Sequence, residues 1–371
     1  MSTSTIAESF RASYGDARDL FLERCAGAGA RVASHAHPLP GPDGAALFLD
    51  EARFGPDDAR RVLFVASGTH GVEGYCGSGI QSFLLADGLA SRLPAGVALV
   101  LVHAVNPWGF AWTRRVNEDN VDLNRNFLDH DAPHPDNPDY DRLYDVLNLP
   151  SLDPAAIADG MAQVKRFENE HGWAAMYRAL SGGQYRHPRG VQFGGTAPTW
   201  SNRTLRALWQ RHAGAAEIAA FVDLHSGLGP RAMGMLLQTA REGGTADVLA
   251  RACWPDVIRA EPAQGGDAAL VSGLIGPAFV AALPHVAAVG LVLEFGTREL
   301  AEVLQAVQAD HWLDAHGVRD SDQGRAIARR MRDAFFLDDA DWQEAVCLRA
   351  REVVDRALAG VHAYAAPAEG R

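Results

Sequence analysis

Arg61-Val62-Leu63-Phe64-Val65-Ala66-Ser67-Gly68-Thr69-His70-Gly71-Val72-Glu73-Gly74 opens as an unbroken apolar run and breaks into a polar turn punctuated by glycine. A short continuous apolar run bounded by glycine suits a central strand buried on both faces. The same pattern recurs at Val97–Val102, Ile218–Val222 and Val286–Leu293, and each run leads straight into polar residues. These are His103 and Asn106-Pro107, then Asp223-Leu224-His225-Ser226-Gly227, then Glu294-Phe295-Gly296-Thr297. Helical patterns fill 76–91, 154–180, 201–215, 243–252 and 299–310, and 321–366 is helix-rich with alternating charge. Strands separated by helices predict an α/β fold, with a mixed central β-sheet and helices on both faces.

Upstream of the first run, the spacing predicts an opening helix over 5–29, ended by Gly27 and Gly29. Two short strands follow near 31–37 and 45–50, separated by the turn Pro40-Gly41-Pro42-Asp43-Gly44. The stretch 128–200 is rich in Pro, Asp, Asn, Gly and Tyr and falls between two strand runs. It reads as an insertion with its own helices, because a structureless loop of that length does not suit a compact domain. The tail 365–371 reads as frayed.

The chain has 371 residues, enough for one large α/β domain or two smaller ones. A single catalytic domain over 1–371 is expected, with the insertion at about 128–200. A formal net charge of −12 and the absence of a basic run argue against a nucleic-acid or anionic-membrane partner. Cys25, Cys76, Cys253 and Cys347 are widely spaced and form no CxxC pair. Free thiols in a reducing cytoplasm are therefore expected, rather than disulfides or a thiolate metal site. The polar stretch Met1–Arg11 has no secretory character, and no apolar stretch reaches membrane-spanning length.

Four strand ends deliver His, Glu, His and Glu to one edge of the sheet. In open α/β sheets that edge is where ligands bind. Buried there, the ionisable residues would be costly unless they met a metal or each other. His70-x-x-Glu73 is a weak signal alone, but Gly68, Gly71 and Gly74 permit a tight turn that aims both side chains inward. A catalytic zinc takes three protein ligands and leaves a position open, and His225 is the best third ligand. Asp223, two residues earlier, lies on the same face of its strand as a partner of that histidine or as a structural anchor.

The remaining element is Arg114-Arg115-Val116-Asn117-Glu118-Asp119-Asn120-Val121-Asp122-Leu123-Asn124-Arg125-Asn126-Phe127. With it, the ordered motifs across 67–297 resemble the zinc carboxypeptidase family and its aspartoacylase-like deacylase relatives, closest to a bacterial branch. The resemblance implies a zinc carboxypeptidase-like fold and one Zn2+ held by His70, Glu73 and His225. It further implies Glu294 as general base, Arg115 polarising the scissile carbonyl, with Arg114 as its rival, and Asn124 and Arg125 binding a substrate carboxylate. The chemistry is self-consistent, since zinc and Arg115 supply positive charge for an oxyanion and Arg125 offers a planar fork for a carboxylate. The expected activity is hydrolysis of an amide bond next to a free carboxylate, on short peptides or small molecules. An N-acyl amino-acid deacylase is the alternative, and a peptide-binding module without chemistry is the third reading. The sequence does not specify the oligomeric state.

The family's carboxypeptidases also use a late tyrosine, yet no tyrosine lies between His225 and Glu294. The loop 181–200 could supply Gln184, Tyr185 or Arg189 to a substrate, or pack on its own aromatics. His130 and His134 read as a solvated loop rather than a second metal site, and His103 as a hydrogen-bonded supporting histidine. Cys76 reads as a small buried apolar residue. Trp108, Phe110 and Trp112 read as packing.

Overall fold

The computed structural model describes residues 3–260 and 271–364. Its core is an eight-stranded sheet in the order β1-β2-β4-β3-β5-β8-β6-β7. The strands are β1 (Arg31–Ala36), β2 (Phe48–Phe54), β3 (Arg61–Ser67), β4 (Val97–His103), β5 (Ile218–Arg231), β6 (Gly234–Gln238), β7 (Ile258–Arg259) and β8 (Ala287–Gly296). β4, β3, β5 and β8 run parallel, whereas β1, β2 and β6 add antiparallel pairs. The sheet is thus mixed, as the pattern of runs and helices implied.

Alternation along each central strand explains the layers. Leu63, Val65, Ala220, Val222, Val289 and Leu291 join one core, packed with Phe21, Phe83 and Val354 from the helices Tyr14–Gly27, Gly74–Ala86 and Ala340–Ala363. Val62, Phe64, Ala219, Phe221 and Ala288 face the other way, onto the helices Trp200–Ala213 and Ile275–Ala282. Successive side chains of a strand point to opposite faces, so a run apolar at every position needs a layer on each side.

Several expectations are corrected. The opening helix 5–29 is two helices, Thr3–Ala7 and Tyr14–Gly27, because Ser13 Oγ accepts from Asp16 N at 3.1 Å and caps a fresh start. The helix over 154–180 divides at Gly172, which takes φ +84. The 321–366 segment divides into Asp322–Phe335 and Ala340–Ala363, where Asp339 caps the second by accepting from Trp342 N. The strand expected at 45–50 begins at Phe48, and β6, β7 and the helix Ile275–Ala282 had no counterpart in the pattern. The expected fraying of 365–371 falls outside the described residues. No helix among the described residues is long and apolar enough to cross a membrane.

From β3 the chain moves to β4 on one side and returns in β5 on the other. The carboxyl ends of β3 and β5 therefore flank a topological switch point, the usual crevice of an open α/β sheet. The segment 128–200 contains the helices Pro138–Arg142, Tyr144–Leu147, Pro154–His171 and Trp173–Ser181.

Candidate active site

The turn after β3 is held largely through its backbone. Gly68 takes φ +66, which residues with side chains rarely adopt. Gly71 lies against the backbone of Gly109, where a Cβ would fall 2.1 Å from the carbonyl carbon. The N–H groups of Gly71 and Val72 donate to the carbonyls of Arg115 and Arg114 at 3.1 and 2.8 Å. Fixed in this way, His70 and Glu73 project into the crevice, where β5 delivers His225.

The three side chains meet. His70 Nδ1 is 2.8 Å from Glu73 Oε1 and 3.2 Å from His225 Nδ1. His225 Nδ1 is 3.0 Å from Glu73 Oε2. All three residues are buried, and among the described residues they form the group of acidic, histidine and cysteine side chains placed to hold a metal ion. The far nitrogen of each ring is occupied: His70 Nε2 meets Asp122 Oδ1 at 3.0 Å, and His225 Nε2 meets Asp223 Oδ2 at 2.7 Å. Thr69 Oγ1 donates to the other Asp223 oxygen at 2.9 Å.

A carboxylate on Nε2 makes that nitrogen the donor and turns the Nδ1 lone pair toward the centre. Two lone pairs and a carboxylate aimed at one another repel unless a cation lies among them. Tetrahedral zinc with nitrogen and oxygen bonds of 2.0–2.1 Å spaces its donors about 3.3 Å apart. The separations here are close to that, so two imidazoles and one carboxylate fit the ion.

Glu294 lies beside this group, paired in register with His225 across β5 and β8. Leu228 N donates to Glu294 Oε1 at 3.1 Å. Burial, reinforced by the nearby Glu73 carboxylate, pushes the Glu294 carboxyl up to about 7. Arg115 spans the other side, donating to Glu73 Oε1 at 3.0 Å and to Asp122 Oδ2 at 3.1 Å. Its rival Arg114 is engaged elsewhere, with Nε on Asp310 and Nη1 on Asp314. Asp122 went unassigned in the sequence. Burial alone would raise its carboxyl, but Arg115 and His70 hold it well below the ordinary range. Its place in the motif that holds Arg115 and Asn124 was the available signal.

Asn124 and Arg125 sit at the rim, both buried. Asn124 Oδ1 accepts from Ile275 N, which leaves its Nδ2 without an acceptor among the described residues. Arg125 donates from Nε to Ser181 O at 2.9 Å and from Nη1 to Asn124 O at 2.6 Å. No carboxylate among the described residues pairs with it, and burial lowers its guanidinium pKa. Among the described residues its printed partners are backbone carbonyls, and a guanidinium so placed has the chemistry to receive an anion.

Of the loop residues, Gln184 is spent on its own loop, taking the N–H of Arg186 and His187. Tyr185 Oη donates to Arg125 O at 2.7 Å, and Arg189 is exposed. The 130–134 loop is solvent-facing, with Asp131, Ala132 and Pro133 exposed. His130 and His134 form a ladder from Asn126 O to the face of Tyr185, with no acid joining them in a metal group among the described residues. Cys76 and Phe110 are buried in the core, while Trp108 and Trp112 stack on each other at its edge.

His103 stacks on Phe21, bonds Ser78 through Nε2 and leaves Nδ1 without a partner among the described residues. Burial depresses its pKa to about 4, and burial with the charge of Arg114 does the same for His311. The unfolded chain binds protons at these sites near 6.5, so it gains protons before the folded one does. Stability is therefore complete above pH 6.5 and lost as pH falls toward 4. By pH 5 each group is expected to cost about 2 kcal/mol. Urea unfolding at pH 7.5 and pH 5 checks this. His103→Gln should flatten the dependence, and an unchanged slope would contradict it.

A family model described as "Protein of unknown function (DUF2817)" matches residues 10–349. No curated protein matches the chain in sequence. Among solved structures it is similar to the carboxypeptidase A from Helicoverpa armigera, at 14% identity and a TM-score of 0.45, over 87% of this chain and 74% of that one. The murein-tripeptide amidase MpaA from Escherichia coli O157 is 17% identical, with a TM-score of 0.35 over 83% and 93%. The metallo-carboxypeptidase from Burkholderia cenocepacia is 12% identical, with a TM-score of 0.42 over 93% and 68%. Likenesses this distant leave the chemistry to the side chains.

Proposed function

This chain belongs to the DUF2817 family, whose description carries no activity, and we propose that it is a zinc-dependent hydrolase of an amide bond beside a free carboxylate. One observation carries the reading: two Nδ1 atoms and a carboxylate converge while a carboxylate holds the far nitrogen of each ring. His70, Glu73 and His225 would hold one Zn2+. When bound, the ion supplies Lewis acidity, polarising a carbonyl and acidifying water.

Glu294 takes the proton of the attacking water and returns it to the leaving amine. Its raised pKa suits a group that must both accept and release a proton near neutrality. Arg115, fixed between Glu73 and Asp122, directs positive charge at the carbonyl oxygen where negative charge develops. Asn124 Nδ2 and Arg125 Nη2 receive the substrate carboxylate. Because every one of these groups is buried or nearly so, the reading favours a short peptide or small molecule over a folded protein. The chain then acts as one catalytic unit carrying the 128–200 insertion, and four buried free cysteines favour a reducing, cytoplasmic setting.

Carboxypeptidase-like cleavage of short peptides leads. The N-acyl amino-acid deacylase reading is kept because no tyrosine lies between His225 and Glu294. Metal analysis joined to a screen of dipeptides against N-acyl amino acids separates the two, and a zinc-free, inert protein would refute both. Arg125→Ala tests the carboxylate grip. Losing charge-assisted hydrogen bonds worth about 3 kcal/mol should raise KM roughly 100-fold for substrates with a free carboxylate. Substrates amidated at that position should be little changed, and an equal loss on both would remove Arg125 from this role.

A further inference from the structure

Two arginines adjacent in sequence are sent in opposite directions. Arg115 reaches across Glu73 and Asp122 in the site. Arg114 turns away and is fully buried, with Nε 2.9 Å from Asp310 Oδ2 on the helix Leu300–His316. Asp310 is buried too, and takes a second bond from Arg319 at 2.9 Å. A buried ion pair seldom adds net stability over an apolar pair, and its best-attested use is to fix register.

The residue before the pair shows what is being held. Thr113 takes φ +53. A β-branched residue in the left-handed region is a genuine outlier and persists only where its surroundings over-determine it. Tyr75 Oη lies 3.0 Å from Thr113 Oγ1, and Arg114 N donates to Gly109 O at 2.7 Å. Downstream, the carbonyls of Arg114 and Arg115 take the N–H groups of Val72 and Gly71, inside the turn that carries His70 and Glu73. One short segment therefore sets both the ligand turn and the direction of Arg115, and the Arg114 side chain ties it to the buried Asp310 on a separate helix.

Resting on the zinc-hydrolase reading above, we propose that Asp310 is a positioning residue. Through Arg114 it locks the Thr113 turn, and so holds the metal-binding turn and Arg115 in register. Asp310 touches neither substrate nor metal. The second partner of Arg114, Asp314, is half exposed and is not needed for the lock.

The test uses the full-length zinc-loaded protein. Asp310→Asn is expected to weaken zinc binding about tenfold by chelator competition and to lower kcat about tenfold, with KM within twofold. Asp314→Asn should match wild type in all three. Adding Thr113→Asn to Asp310→Asn should recover most of the kcat, since asparagine enters the left-handed region far more readily than threonine. If Asp310→Asn fails to fold, Arg114→Lys is measured in the same way; it keeps the charge but loses the two-pronged span. A lower melting temperature with wild-type zinc affinity and kcat would overturn the proposal and assign the pair to stability alone. Wild-type protein that neither binds zinc nor hydrolyses amides would sink the hydrolase reading and this one with it. Active wild type with an unaltered Asp310→Asn variant sinks only this one.

Discussion

Glu294→Gln is expected to lower kcat by at least 10³-fold while zinc remains bound at one equivalent. The substitution keeps the shape of a side chain paired in register with His225 and removes its ability to carry a proton. General-base catalysis alone contributes about 10²–10⁴-fold, and here the same group also serves the leaving amine. Leu228 N donates to Glu294 Oε1, a bond the amide oxygen can still accept, so the variant should fold normally. In the wild-type enzyme, ionisation of Glu294 should shape the acid limb of kcat/KM. Burial lifts the carboxyl to about 7, a bound cation favours the charged form, and the limb should therefore fall below that pH. Zinc-replete Glu294→Gln with wild-type turnover would remove Glu294 from the chemistry. Tight peptide binding without hydrolysis by the wild type would favour the binding-module reading instead.

Stripping the metal with a chelator should abolish hydrolysis, and one equivalent of zinc should restore it. Without a cation, two imidazole nitrogens 3.2 Å apart share a buried site with Glu73. Ligand binding to the folded state alone stabilises it by about 4 kcal/mol when the ligand exceeds its Kd a thousandfold. The melting temperature of the stripped protein should accordingly rise with added zinc. Asp122→Asn and Asp223→Asn remove the carboxylates on the far nitrogens of His70 and His225. Such partners typically control metal affinity by about 10–100-fold, and each variant should lose affinity on that scale. Calorimetric titration reads the stoichiometry and the losses together. Full activity in the stripped protein, or a zinc affinity indifferent to Asp122 and Asp223, would refute the metal assignment.

The sheet was legible where the chain is apolar at every position, because only a strand sandwiched between layers needs that. Arg61–Ser67 and Ile218–Val222 fall into parallel register as their runs implied. β6 was passed over because its apolar stretch Met235–Leu237 is short, and Gly234–Gln238 is partly exposed. The break at Ser13 was written as a capping serine but masked by apolar residues on both sides. Within the site, ligand-type residues stood out at strand ends. Asp122 did not, as a carboxylate in a polar loop looks solvated until the fold buries it between His70 and Arg115. The surroundings of Arg125 were beyond reach for a different reason. Its acceptor Ser181 O lies 56 positions away and is a backbone atom, which leaves no residue-type signature.

That last contact divides the labour of the molecule. His70 and Glu73 come from the turn after β3 and His225 from within β5, whereas Arg125 leans on the carbonyl of Ser181 at the end of the Trp173–Ser181 helix. Under the proposed reading, the grip on a ligand's charge is thus steadied in part by a stretch of chain that supplies none of the metal-binding side chains. Substitutions that unwind the end of that helix would then be expected to shift KM before they touch zinc affinity.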